Sequence, residues 1–102
     1  MILDVQQKER LKKDLVACLK DDSEIKKIVV FGSFISDREP QDMDVAVFQN
    51  SAEPYLPLAL KYRRQARSVS KRIPIDILPL RSDADSDHFL SEIEQGETIY
   101  ER

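Results

Sequence analysis

The chain of 102 residues is poor in several things, and each shortage narrows what it can be. It has one cysteine, Cys18, so no internal disulfide can form, in keeping with a reducing compartment. No apolar run approaches the roughly 20 residues of a membrane-spanning helix. The opening MILDVQQKERLKKDL is too charged for a secretory signal, and a cytoplasmic location without a membrane is expected. Internal repeats, low-complexity tracts and linkers rich in Gly, Pro or Ser are absent. Glycine occurs only twice, at Gly32 and Gly96, so each is worth explaining. The lone histidine, His88, stands in an acidic stretch and reads as a surface residue.

An excess of positive charge is also lacking. With a net charge of -3, the chain as a whole does not point to nucleic acid as a partner. The charge is uneven, however. Of the 16 basic residues, six lie in KYRRQARSVSKR, residues 61–72, leaving 10 against all 19 acidic ones elsewhere. A chain of this length, with 41% hydrophobic and 34% charged residues, is expected to form one domain over 1–102 with a modest core.

Periodicity supplies the elements. Residues 3–21 read as a helix with Leu11, Leu15, Cys18 and Leu19 inward, which places Cys18 on the core side as a small hydrophobe. IKKIVVF, residues 25–31, is a β-branched run of strand length. Gly32 closes it, and a short turn or helix through Ile35 follows. MDVAVF (43–48) and PIDILPL (74–80) read as strands, the second mostly buried, and ETIYE (97–101) as a last short strand. Pro54 and Pro57 suit the first turn of a helix over about 55–71, with Leu58, Tyr62, Ala66 and Val69 inward and Arg64, Arg67 and Lys71 as an exposed stripe. Tyr55, Tyr62 and Tyr100 read as packing residues. SDADSD at 82–87 offers N-caps for a helix over 87–95, ended by Gly96 at C′. Strands alternating with helices predict an α/β or α+β fold: one small mixed sheet of about four strands flanked by helices.

The chemistry concentrates in FGSFISDREPQDMDVAVF, residues 31–48. Residues i and i+2 of a strand share a face, so Asp42 and Asp44 are expected to project together. Neighbouring carboxylates repel unless they share a proton or a cation, and Mg²⁺ is commonly held by one or two carboxylates plus substrate phosphates. Asp76 interrupts another apolar strand and, if that strand lies beside the second, reaches the same pocket. Three carboxylates can hold two divalent ions that clamp an in-line phosphoryl displacement. Gly32 and Ser33 would supply the phosphate side, through close backbone amides and a hydroxyl.

Taken singly, an Asp-x-Asp pair, a Gly-Ser turn and an Asp in a strand have bland readings: solvated loop, plain turn, edge residue. Their order is informative: strand, Gly32-Ser33, eight residues, Asp42-Met43-Asp44-Val45, then Asp76 in a third strand. This order resembles the nucleotidyltransferases of the DNA polymerase beta superfamily, and the short chain with its SEIEQGETIYER ending resembles the minimal nucleotidyltransferases, or MNT proteins. The resemblance spans essentially the whole chain. It implies the polymerase-beta-type fold, ATP or another nucleoside triphosphate as substrate, Mg²⁺ at two sites, and transfer of a nucleotidyl group to a hydroxyl. It assigns Gly32 and Ser33 to the triphosphate, Asp42 and Asp44 to metal, and Asp76 to metal and to deprotonating the acceptor. The sequence departs from the family's common pattern in a shorter spacer, in Phe34 and Ile35 where relatives often have Arg, and in Gln41 before Asp42.

Standalone MNT proteins resemble antitoxins whose partner is a HEPN-type toxin, and the resemblance implies adenylylation of a partner tyrosine. A chain with no room for a second domain is expected to receive its acceptor from a docked protein. The alternative is an antitoxin or adaptor acting by contact, with weak catalysis or none.

Overall fold

The structure, a computed structural model, describes residues 2–82 and 93–102. Helix α1, Val5–Leu19, begins at Asp4 with a capping box. The Gln7 amide donates to Asp4 Oδ1 (2.7 Å), and the Asp4 amide donates to Gln7 Oε1 (2.9 Å). These bonds satisfy two amides that a helix start leaves without partners. Strand β1, Ile25–Phe31, leads to a single turn, α2, Ser33–Ser36, and then to β2, Met43–Gln49. The predicted helix over 55–71 is two helices, α3 (Tyr55–Gln65) and α4 (Arg67–Ser70). Between them Ala66 takes φ −92° and ψ 16°, which turns the chain off the first axis. Alanine is the best helix former, so no local preference announces the break. Strands β3, Ile75–Arg81, and β4, Glu97–Glu101, follow.

The strands form one mixed sheet in the order β3-β2-β1-β4. β1 is antiparallel to both β2 and β4, whereas β2 and β3 are parallel and joined through α3 and α4. The helices cover one face. There Ile28, Val30, Met43, Val45, Val47 and Ile77 meet Leu11, Leu15 and Leu19 of α1 and Leu58, Tyr62, Ala66 and Val69 of α3 and α4. Each such side chain contributes about 1.5–3 kcal/mol when fully buried. The helix over 87–95 lies largely outside the described residues, as does His88. Gly96 has a different reason from the expected C′ position: a Cβ there would lie 2.5 Å from the Val30 carbonyl oxygen, so only glycine fits against β1.

Three other expectations need correction or refinement. Cys18 packs against the core on the expected side but is only half-buried, with Sγ 3.3 Å from Ser68 Oγ. Tyr55 is 54% exposed because it opens α3 away from the sheet, whereas Tyr62 is fully buried and Tyr100 packs against the core. β3 is an edge strand and not mostly buried; its Pro79, which has no N–H to donate, suits such a place.

Polar ties seal the helical layer. Lys12, 7% exposed, pairs with Glu9 (2.5 Å) and with Glu97 of β4 (2.7 Å). Burial works against its charge, but the two glutamates outweigh this and hold its pKa above 10.5. Glu24 accepts from Tyr62 Oη (2.8 Å) and Lys61 Nζ (2.6 Å), joining the entry of β1 to α3. Burial and the bond to Glu24 together push the Tyr62 hydroxyl well above its ordinary pKa of 10. Among the described residues, no helix is long and apolar enough to cross a membrane.

Candidate active site

The site lies on the sheet face opposite α1 and α3. Alternation along β2 sends Met43, Val45 and Val47 to the helices and Asp44, Ala46 and Phe48 to the other side. Asp44 is cross-strand neighbour of Phe31 in β1 and of Asp76 in β3. Neighbouring strands run about 4.8 Å apart, so two aspartates in parallel register on one face are forced into proximity. Further along, Val29, Phe31, Ala46, Leu78, Leu80 and Ile93 make a second, smaller apolar cluster beside them.

Gly32 is packed against the same carboxylate. Its φ of 75° and ψ of −149° make it the only residue with positive φ among those described. A Cβ built on it would sit 2.6 Å from Asp44 Oδ2. Glycine is therefore required by its backbone angles, and any side chain there would also push the Asp44 carboxylate aside. The next residue, Ser33, is partly exposed and opens α2; the amides of a first helical turn have no acceptor within the helix. Gly32, Ser33, Asp44 and Asp76 thus converge at one end of the sheet.

Asp42 is placed differently. It lies in a bend one residue before β2, half-buried, outside the strand ladder whose start is pinned by the Met43 amide donating to the Pro74 carbonyl (2.9 Å). The i, i+2 argument holds for residues inside a strand and does not extend to it. Asp76 is on the edge strand, and its side chain is 70% exposed, so it needs no special reason to be charged there. What marks it is the register with Asp44.

A residue that the sequence did not single out is Arg63. Its guanidinium on α3 reaches Asp76 Oδ1 at 3.6 Å. The basic run around it was legible, but its pairing with an acid 13 positions later depends on how β3 lies against α3. Beside it, a cleft of about 190 Å³ is lined by Arg63, Ala66, Ser70, Ile75 and Ile77.

Among the described residues, no three His, Cys, Asp or Glu side chains are gathered closely enough to hold a metal ion. The donor chemistry nonetheless fits a hard cation: Asp44 and Asp76 offer carboxylate oxygens, and Mg²⁺ is commonly bound by one or two carboxylates together with substrate phosphates.

Comparison with known proteins bears on the fold and the family. A structure of the MNT antitoxin in complex with a tri-AMPylated HEPN toxin of Shewanella oneidensis superposes with a TM-score of 0.66 at 18% identity, over 93% of this chain and 73% of that one. The MntA-HepT toxin-antitoxin structure gives 0.63 at 18% identity, over 92% and 73%. A toxin-antitoxin structure with AMP-PNP gives 0.66 at 19%, over 89% and 73%. At these identities the likeness is one of fold. A search of curated proteins by sequence finds no match. The family model described as polymerase beta, nucleotidyltransferase, matches residues 13–102, from the middle of α1 through β4 and across every residue of the site. This chain therefore belongs to the polymerase beta nucleotidyltransferase family.

Proposed function

We propose that the protein transfers an adenylyl group from ATP, with Mg²⁺, to a tyrosine hydroxyl of a HEPN-type partner protein, and so acts as the antitoxin of a pair. The observation that carries this reading is the meeting of Gly32 and Asp76 at Asp44. Solved structures of the same fold support it, one holding a tri-AMPylated HEPN toxin and one AMP-PNP.

In this reading the Gly32-Ser33 backbone and the Ser33 hydroxyl hold the triphosphate, where the lack of a side chain at position 32 lets phosphate oxygens approach the amides. Asp44 and Asp76, with Asp42 turned in from its bend, would hold the metal, which when bound neutralises charge on the phosphates. The tyrosine Oη attacks the α-phosphorus and forms the new P–O bond. The bond to the β-phosphate breaks, and pyrophosphate leaves. Asp76 accepts the hydroxyl proton. Its exposure leaves room for an acceptor brought by another molecule, and Arg63 steadies the carboxylate from the side.

The test is intact-mass spectrometry of a candidate HEPN-type partner protein after incubation with this protein, ATP and Mg²⁺. Wild type is expected to add AMP units; Asp76→Asn should keep ATP binding by calorimetry and lose most transfer. Undiminished transfer in Asp76→Asn would remove that residue from the mechanism. A second reading, a contact inhibitor, is favoured by the absence of a gathered three-acid cluster among the described residues. Tight complex formation without transfer by wild type would select it.

A further inference from the structure

The outer side of α3 and α4 combines exposed leucines with exposed cations. Leu56, Leu60 and Arg64 recur once per turn of α3; past the turn at Ala66, Arg67 opens α4 and Lys71 caps its end. Leu56 is 65% and Leu60 46% exposed, although both are large apolar side chains. Arg64, Arg67 and Lys71 are exposed and make no ion pair among the described residues. Other cations of the same run differ: Lys61 pairs with Asp22 and Glu24, Arg63 with Asp76, and Arg72 with Asp14. The cations that serve the fold are thus paired, and three are left facing solvent beside two exposed leucines.

We propose that this ridge is the docking surface for an acidic protein partner, which lays its acidic residues along Arg64, Arg67 and Lys71 and brings its acceptor hydroxyl over the β3 edge to Asp76. The proposal rests on the transfer reading for the role of Asp76. The path is short, because Arg63 already bridges from α3 to Asp76. The cleft of about 190 Å³ between the helices and β3, beside Arg63, is a socket for one anchoring side chain. Charge complementarity selects an acidic partner and speeds its encounter. Protein is favoured over nucleic acid because apolar side chains share the ridge and the chain's net charge is -3.

The test uses three fluorescein-labelled peptides with one central tyrosine and flanks of glutamate, lysine or uncharged residues. Binding is read by anisotropy at low ionic strength, where screening is weak. Wild type is expected to bind the glutamate peptide roughly tenfold or more tighter than the lysine peptide, and an Arg64→Glu/Arg67→Glu variant to lose that preference with ATP affinity unchanged. Equal affinities in wild type, or an unchanged preference in the variant, would overturn the docking surface. So would wild-type binding of a single-stranded RNA, lost in the variant, in place of the glutamate peptide. Transfer of AMP is read separately by mass. Transfer to all three peptides without charge preference overturns the surface and leaves the transfer reading standing. Charge-selective binding with no transfer to any peptide overturns the transfer reading and leaves the surface standing.

Discussion

Val45 and Asp44 are adjacent in one strand, yet they belong to different parts of the molecule. Val45 points to the helices, where Leu15, Leu19, Tyr62 and Val69 exclude water completely. Asp44 points to the other face, where the apolar cluster is small and gives way to carboxylates and to Gly32 at the ends of the strands. One face has apolar neighbours in every direction and holds the sheet to its helices. The other is finished only in part, and its polar groups stand where a ligand can reach them. Stability and chemistry are thus separated by a period of two residues, so changes on the two faces should separate as well.

The largest effect is expected from Asp44→Asn. In the transfer reading Asp44 is a metal ligand, and loss of its charge should reduce AMP transfer on the order of a thousandfold, about 4 kcal/mol in barrier. The shape of the side chain is kept, so the melting midpoint should move by less than the roughly 5 °C that about 1 kcal/mol represents in a domain of this size. A midpoint lowered well beyond that, with transfer retained, would make Asp44 part of the scaffold.

Leu15→Ala should do the reverse. The side chain is fully buried against the sheet, and removing it costs about 2–5 kcal/mol of unfolding free energy, measurable in urea. Transfer per folded molecule should stay within about twofold of wild type, because Leu15 belongs to the core under the helices and not to the cluster beside the acids.

Gly32→Val tests the point at which the two properties meet. The new side chain requires a disfavoured positive φ and collides with the Asp44 carboxylate, a strain of about 1–3 kcal/mol. ATP affinity should fall with it. Calorimetry giving wild-type ATP affinity in a folded Gly32→Val protein would take the turn out of the site.

The smallest effect concerns pH. Burial raises the pKa of Asp22, but hydrogen bonds from Lys61 and Gln65 outweigh it, and the net value is below 3.8. A carboxylate with a lowered folded value stabilises the protein above its unfolded pKa, and that contribution is lost as pH falls through the folded value. Asp22→Asn should therefore flatten the acid limb of the stability curve below about pH 4, with transfer at neutral pH unchanged. An acid limb identical to wild type would show the pairing to be without energetic weight.

Much of this arrangement was legible along the chain because the signals are local. β1 has the bounds that the β-branched run announces, and β4 those of ETIYE. The inward positions Leu58, Tyr62, Ala66 and Val69 follow from helical spacing and are all buried. Gly32 carried its own signal, as one of two glycines at the end of an apolar run. Features with no local cause were not legible. The break at Ala66 occurs at a residue that favours helix, and the exposure of Asp76 depends on which strand ends up at the edge.

The sequence by itself determined the strands, the family and the kinds of side chain at the site, since periodicity, turn residues and the order of Gly32, Ser33, Asp42, Asp44 and Asp76 are properties of a line of residues. Only the tertiary structure decided which of these meet. The parallel register of β2 and β3 sets Asp44 beside Asp76, the close approach of β1 and β2 sets Gly32 against Asp44, and the packing of α3 on β3 gives Asp76 its partner Arg63. Each of these contacts joins residues more than ten positions apart, and the pairing of strands and helices, which local preferences leave open, is chosen by the burial of the whole apolar face at once.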